Sequence, residues 1–345
     1  MSLADDYRAI HESAVVGALA PRSFIAVAGA DRASFLQGLL TNDIAALTPG
    51  SGCYAAWLTP QGRMITDLEV LESGDLMLLD VPIDTHAATL ERLEHFLFSE
   101  DVQIASLSSE LTSVWTHGPQ AAGLLGRVVE RISDPQEWSP YRLEKGSFSE
   151  AAAVVVRNDQ LLVPGYCVYL PHDARERFIA ALRREGAVVL DSGSDANAGA
   201  TLQHEALVVA RIEAGYPLFG VDMTEDTIPL EAGIEGRAIS LTKGCYVGQE
   251  VIIRVLHRGH GRVAKRLVGF RTPERLRAGA RVTAAGKDVG FVTSAAVSPV
   301  FGPIALGYVH RDFVEPGSAV VVTVDERAIE ATVAPRPIAP QVEGK

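Results

Sequence analysis

The sequence predicts a multi-lobed α+β protein that ends in an antiparallel β-barrel. Three observations lead there. The 345 residues exceed one ordinary domain, so two or three units with their own cores are expected. Early in the chain, strand-like runs separated by turn signals read as an antiparallel meander with helices laid against it. Beyond Gly261 the sequence turns into short Val-, Thr- and Gly-rich strands with recurrent turns, the pattern of a compact barrel.

Taken in order, "FIAVA" from Phe24 is a short strand, and Asp31 after Gly29 is a candidate N-cap for the helix "RASFLQGLL". The runs "CYAAWLTP", "MITDLEVL" and "LMLLDVP" follow, punctuated by "PQG" and "ESGD". Asp84 is placed to cap a helix through "THAATLERLEHFLF", and "VQIASL" and "LTSVWTH" read as two further strands. Periodicity fades between about Glu130 and Lys145, which reads as a connection. Then "AAAVVVRNDQLLVPGYCVYLP" reads as a hairpin, "ARERFIAALRREG" as an amphipathic helix and "AVVL" as a strand, together a small split α/β lobe. A helix over "ATLQHEALVVARIEAG" ends near Gly215, with Leu202, Ala206 and Val209 on one apolar face. The barrel strands are expected in "KRLVGFR", "ARVTAAGKDVGFVTSAAV", "IALGYVH", "SAVVVTV" and "AIEATVAP", and the last residues, "RPIAPQVEGK", as a frayed tail.

Composition excludes several classes of function. Hydrophobic residues at 47% and charged residues at 21% suit a soluble globular chain. A net charge of −12 lacks the basic face that bulk nucleic-acid binding needs. The acidic start carries no secretory leader pattern, and the longest weakly polar stretch is broken by Pro299, Gly302 and Pro303, so cytoplasmic sequence without a membrane span is expected. Cys53, Cys167 and Cys245 are too far apart in sequence for a C-x-x-C metal or redox site.

The strongest chemical signal is "LTKGCYVGQEVIIR" from Leu241. A thiol is reactive as thiolate, and an adjacent cation or helix start lowers its pKa. Lys243 offers the cation, and the segment from Tyr246 through "GQEVIIRVLH" offers the helix start. The bland alternative is that Cys245 packs as a small buried hydrophobe. The run "KGCYVGQE" resembles the K-G-C-[FY]-x-G-Q-E signature of the YgfZ family, bacterial folate-binding proteins related to the glycine cleavage T-protein (aminomethyltransferase). Likewise, "RIEAGYPLFGVDMTEDTIPLEAGIEG" is similar to a T-protein stretch, and "ADRASFLQGLLTNDI" and "TPQGRMITDLEVL" resemble the N-terminal part of the same superfamily.

The resemblance implies a three-lobed, clover-like T-protein (GcvT-like) fold with folate at its centre. It divides the chain into an N-terminal folate-binding α+β lobe over 1–135, a ferredoxin-like split α/β lobe over 136–195, a return segment over 196–262 and a β-barrel over 263–335. It implies tetrahydrofolate, or a one-carbon derivative, as the cofactor. Glu213 takes the place of a pteridine-binding glutamate, whose carboxylate suits the 2-amino and N3–H donors of a pterin. Asp67 takes the place of an aspartate near N5 and N10 of the folate, although Thr66 replaces a second acid that T-proteins usually carry. Arg254 matches an arginine that follows the signature and would neutralise anionic charge, with Lys243, Tyr246 and Gln249 completing the ligand set. The run "RVLHRGHGRVAKR" adds Arg258, Arg262, Lys265 and Arg266, which suit an anionic ligand tail, an acidic partner or simply a solvated face. His257 and His260 lack the partners of a metal site.

For function, the YgfZ resemblance implies a tetrahydrofolate-binding protein that supports assembly or repair of iron-sulfur enzymes, including those that methylthiolate tRNA. Its partners would be iron-sulfur clients or assembly factors, and Cys245 would supply a reactive thiol. The alternative is a tetrahydrofolate-dependent aminomethyl- or methyltransferase, with Asp67 at the reacting atoms.

Overall fold

A computed structural model describes residues 2–190, 204–257 and 261–338. Helix α1 (Leu3–Glu12) opens on a reciprocal cap, Ser2 accepting from the Asp5 N–H and Asp5 accepting from the Ser2 N–H. After β1 (Val15–Val16), strand β2 (Arg22–Ala28) runs into α2 (Arg32–Leu39). Asp31 sits at the expected cap position but makes no capping bond. Its carboxylate instead accepts from the Asp101 N–H at 2.9 Å, tying the helix start to the far edge of the sheet.

Strands β3 (Ser51–Leu58), β4 (Met64–Glu72) and β5 (Leu76–Pro82) form the expected meander. With α3 (His86–His95) and β6 (Gln103–Ser106) they complete the first lobe, a five-stranded sheet of order β3-β4-β5-β2-β6. Asp84 does not cap α3. A 3₁₀ turn over Ile83–Thr85 intervenes and makes Thr85 the preceding residue. One face of the sheet is apolar and covered by α2 and α3, through Ile25, Val27, Leu68, Val70, Leu36 and Leu93. The other face carries alternate residues of the same strands.

The second lobe contains β7 (Leu111–His117), α4 (Ala121–Val128), β8 (Leu143–Phe148), β9 (Ala151–Arg157), β10 (Gly165–Pro171), α5 (Arg175–Arg184) and β11 (Val188–Val189). Its sheet order is β11-β1-β7-β10-β9-β8, so it recruits Val15 and Val16 from near the N-terminus. Helices α4 and α5 fill one face around Phe148, Val168 and Phe178. On the other face, Trp115, Cys167 and Tyr169 pack onto Phe24, Leu71 and Leu78 of the first sheet. Two sheets, the second antiparallel except for its β1–β11 edge pair, thus meet face to face.

Helix α6 (Glu205–Ala214) ends on Gly215, left-handed at φ +65°. Leu202, expected on its apolar face, lies outside the described residues. Short helices α7 (Pro229–Ala232) and α8 (Glu235–Ala238) precede α9 (Gln249–His257). Strands β12 (Lys265–Arg271), β13 (Arg281–Ala284), β14 (Lys287–Ser298), β15 (Gly302–His310), β16 (Ala319–Val324) and β17 (Arg327–Ala334) close into a six-stranded antiparallel barrel. Val209 and Ile212 of α6 pack on Leu267, Ile304 and Leu306 of its wall. A buried ion pair locks this contact: Arg211 donates to Asp222 at 2.5 Å, and Asp222 also accepts from Thr293 and Ser294 at 2.5 and 2.7 Å. Such a pair is tolerated in a core because hydrogen bonds replace the lost water.

Candidate functional site

Strand β4 decides which side chains enter the space between the lobes. Leu68 and Val70 turn toward α2 and α3, so Asp67 and Glu69, two residues apart, share the opposite face. Both are buried, 5% and 2% exposed. Tyr54 stands opposite Glu69 in the β3–β4 ladder, and its hydroxyl donates to Asp67 Oδ2 at 2.8 Å. Arg22 Nη1 lies 3.5 Å from Asp67 Oδ1, while its Nε and Nη2 donate to the Asp80 carboxylate and carbonyl at 2.5 and 2.6 Å. From the second lobe, Tyr169 donates to Asp80 Oδ2 at 2.6 Å.

Glu69 is the unusual member. Its Oε1 accepts from the Asn158 amide, and its Oε2 is buried with no partner among the described residues. Burial, together with the Asp80 charge directly across the ladder, pushes Glu69 up to about 8, and Arg22 offsets this only in part. The face therefore holds two carboxyls in different settings, Asp67 engaged by a phenol and a guanidinium, and Glu69, which burial and Asp80 push toward its protonated form. Thr66 belongs to the other face. Its hydroxyl meets Thr85 Oγ1 at 2.8 Å, so an acid at that position would point away from Asp67.

Asp67 and Glu69 line a pit of about 20 Å³, room for roughly one water. Gln160 and Tyr216 line both this pit and a neighbouring cavity of about 780 Å³, which lies within the size range of small-molecule sites. The larger cavity takes Arg157 from the second lobe, Arg237 from α8 and Arg336 from the segment after the barrel. The guanidinium of Arg237 lies between two rings, its central carbon 4.4 Å from the Tyr54 centroid and 4.1 Å from that of Tyr216.

The residues expected from sequence fall into separate places. Cys245 is exposed and lines a groove of about 540 Å³ with Tyr246, Gln249, Glu250, Arg254 and His257. None of these residues lines the Asp67 pit or the larger cavity. Arg254 thus stands beside the thiol and not in the cavity that holds Asp67. The helix start is later than expected, at Gln249, after Gly248 at φ +84°.

Lys243 does not offer its charge to Cys245. Its Nζ is buried and donates to the carbonyls of Gln37, Leu40 and Asn42 at 2.7, 2.6 and 2.8 Å. An ammonium has three protons, so all are spent closing the end of α2. Burial pulls Lys243 down to about 8, and the thiol it acts on is that of Cys53, which burial pushes up to about 12.

Glu213, at the end of α6, accepts from the Tyr7 hydroxyl at 2.8 Å through Oε2, and its Oε1 is buried without a partner among the described residues. It lines neither central cavity. Arg258 and His260 lie outside the described residues. Of the rest of that basic run, Lys265 covers the Tyr308 ring at 4.9 Å and Arg266 reaches to 3.9 Å from Glu235. Among the described residues no group of His, Cys, Asp and Glu is arranged to hold a metal ion.

Sequence reasoning did not single out Arg22, Tyr54, Glu69, Asp80, Arg237 or Arg336. Glu69 had a usable signal, the Asp-Leu-Glu alternation inside a strand, which puts both acids on one face. Arg237 and Arg336 had none, because their meeting depends on how α8 and the barrel end fold back on one another.

Two facing sheets and a terminal closed barrel define a three-lobed α+β protein of the GcvT-like class. The chain belongs to the glycine cleavage T-protein family: residues 1–243 match the GCVT N-terminal domain and residues 265–339 the glycine cleavage T-protein C-terminal barrel domain. Relatives include the aminomethyltransferase of Bacillus subtilis, 28% identical over 97% of this chain and 90% of that protein, and that of Nostoc, 29% identical over 90% and 80%. The crystal structure of glycine cleavage system aminomethyltransferase T from Bartonella henselae has the same fold, with a TM-score of 0.85 over 99% of this chain and 90% of that one at 22% identity. No described helix is long and apolar enough to cross a membrane.

Proposed function

We propose that this protein binds tetrahydrofolate in the central cavity and transfers a one-carbon unit to it, as the name of its aminomethyltransferase relatives suggests. The observation that carries the reading is Asp67, buried in the pit that adjoins this cavity and held between Tyr54 and Arg22. The residues present fit such a ligand. A cavity of about 780 Å³ adjoins the acidic pit, Tyr54 and Tyr216 supply aromatic faces, and Glu69 in the pit keeps a buried oxygen without a partner among the described residues.

Tetrahydrofolate supplies N5 and N10, the atoms that carry the one-carbon unit. The protein supplies charge and protons around them. Asp67 is oriented by two donors, Tyr54 and Arg22, so its carboxyl oxygens stay aimed where positive charge develops at a nitrogen. Glu69 holds a proton two residues away on the same strand face, a suitable reservoir for acid catalysis near neutral pH. Glu213, expected from the resemblance as the pterin acceptor, lines neither cavity and takes no part in this reading. The purified protein, given tetrahydrofolate and an aminomethyl-loaded lipoyl carrier protein, is expected to form methylenetetrahydrofolate. Asp67→Asn is expected to lower kcat by about a hundredfold or more with the thermal melt unchanged. Absence of product with a folate-binding wild type would sink the transfer reaction.

A second reading is favoured by the separate position of Cys245. An exposed thiol in its own groove with Arg254, Gln249 and Tyr246 is open to a macromolecular partner, as a YgfZ-type folate-binding protein supporting iron-sulfur enzymes would require. In that reading tRNA-methylthiolating enzymes are among the clients. Cys245→Ala is then expected to lose the ability to restore iron-sulfur activity in cells lacking the protein while keeping tetrahydrofolate binding. Full restoration would leave only the first reading.

A further inference from the structure

Away from the central cavity, the Cys245 groove combines a reactive sulfur with polar groups that have no partners. Its volume of about 540 Å³ lies within the range of small-molecule sites, and the thiol in it is exposed. A Cβ on Gly244 would meet no atom within 4 Å, so the backbone before the cysteine leaves the approach open. Tyr246 forms a fixed part of the wall. It is only 7% exposed, belongs to the apolar cluster of Leu58 and Ile252, and has the Lys243 ammonium 5.1 Å from its ring centroid. Its hydroxyl nevertheless has no hydrogen-bond partner among the described residues, although a buried phenol normally finds one. Burial pushes Tyr246 up to about 12, so it stays a donor at neutral pH.

Two charges on the same wall are also unpaired. Glu250 and Arg254 line the groove one turn apart on α9, the spacing at which a carboxylate N-terminal to a cation commonly pairs with it. Among the described residues no ion pair joins them or ties either to another side chain. A cation, a carboxylate and a phenol donor set around a thiol complement a ligand that carries a carboxylate, an ammonium and peptide carbonyls.

We propose that this groove is a modification site in which Cys245 forms a mixed disulfide with a small zwitterionic peptide thiol, Arg254 taking its carboxylate, Glu250 its ammonium and Tyr246 a carbonyl. The co-reactant is the disulfide of that same peptide. The Cys245 thiolate attacks one sulfur of it, the old S–S bond breaks as the new one forms, and the other half leaves as a thiolate that takes up the proton Cys245 gave up. Cys245 is oxidised and the leaving half is reduced, with no further oxidant. The free peptide thiol reverses the step, so the ratio of its two forms sets how much of Cys245 is capped. The groove shares no lining residue with the central cavities, and the site stands whether or not folate binds. It decides when the thiol of the second reading is open to a partner.

The test is the rate at which the purified full chain is capped, read by intact mass, with glutathione disulfide as the zwitterionic probe and hydroxyethyl disulfide as the uncharged one. The ratio of the two rates is expected to be at least about tenfold higher for native Cys245 than for a free peptide of residues 241–248, which keeps the neighbours of the cysteine but has no groove. Arg254→Gln and Tyr246→Phe are each expected to lower that ratio at least about fivefold. Both are expected to leave the hydroxyethyl rate, which reports fold and thiol access, at the wild-type value. Glu250→Gln separates recognition from bulk charge. The glutathione probe is net negative, so removing a carboxylate speeds its reaction if only long-range repulsion acts, whereas losing the ammonium contact slows it, and slowing is expected. A wild-type ratio no higher than that of the peptide, an unchanged ratio in Arg254→Gln or Tyr246→Phe, or faster glutathione capping in Glu250→Gln overturns the site.

Discussion

Glu69 and Asp80 face each other across the β4–β5 ladder, two buried carboxyls in direct register. Like charges this close cannot both ionise in a low-dielectric setting. Arg22 and Tyr169 both donate to Asp80, while Glu69, pushed up by burial and by Asp80, keeps the proton.

The consequence for stability follows from linkage. Glu69 is pushed up to about 8 in the folded protein, against about 4.3 when unfolded, so the folded state binds the extra proton between those values. Its contribution is complete below the unfolded value and is lost as pH rises toward 8. His117 acts in the opposite sense. Both its ring nitrogens are buried without partners among the described residues, and burial lowers it to about 4, so its contribution is complete above about 6.5 and is lost as pH falls from there toward 4. The two oppose each other between about pH 4.5 and 6.5, and only the Glu69 loss remains from there to pH 8. Denaturant unfolding of wild type is expected to show falling stability from pH 6.5 to 8, by no more than about 1.4 kcal/mol per pH unit. Glu69→Gln is expected to flatten that limb.

Lys243 is expected to be structural. Removing its ammonium leaves the carbonyls of Gln37, Leu40 and Asn42 without donors where water has limited access. Lys243→Met is expected to cost about 3–5 kcal/mol in urea unfolding. It should leave the reactivity of Cys245 unchanged, whereas a sharp fall in thiol reactivity would show that the ammonium does reach that sulfur.

Thiol accessibility separates the three cysteines. Cys245 is exposed, Cys53 is half-buried with its thiol pushed up to about 12, and Cys167 is fully buried. One equivalent of dithiobis(nitrobenzoate) is expected to react quickly with native protein, two more only on unfolding. The fast equivalent should vanish in Cys245→Ser.

The α6–barrel lock predicts a large single-site effect. Asp222→Asn leaves Arg211, about 1% exposed, as an uncompensated buried charge. A loss of about 3–5 kcal/mol is expected, measured as a shift of the urea midpoint. A shift below 1 kcal/mol would show that Arg211 finds another partner.

Much of the architecture is legible in the chain because its signals are local. Alternation marks β3 to β5, Val-rich runs with turn residues mark the barrel, and Gly215 ends α6 through its left-handed backbone. The capping expectations failed at Asp31 and Asp84 because each depends on what else reaches the helix start: Asp31 is claimed by the distant Asp101 N–H, and Asp84 is displaced by a 3₁₀ turn. At the site, Asp67 was readable from its resemblance context. The role of Lys243 was not, since nothing near it in sequence reveals acceptors 201 to 206 residues away.

The amino-acid order by itself determined the strand and helix types, the α+β class with a terminal barrel, and the residues that mark the T-protein relationship, because periodicity, turn chemistry and short motifs are properties of neighbouring residues. Only the tertiary structure decided that Glu69 is buried against Asp80 and Asn158, that Cys245 opens into a groove apart from them, and that Arg237 and Arg336 converge on one cavity. Those outcomes depend on which faces of distant elements are buried together, and burial is settled by the packing of the whole chain.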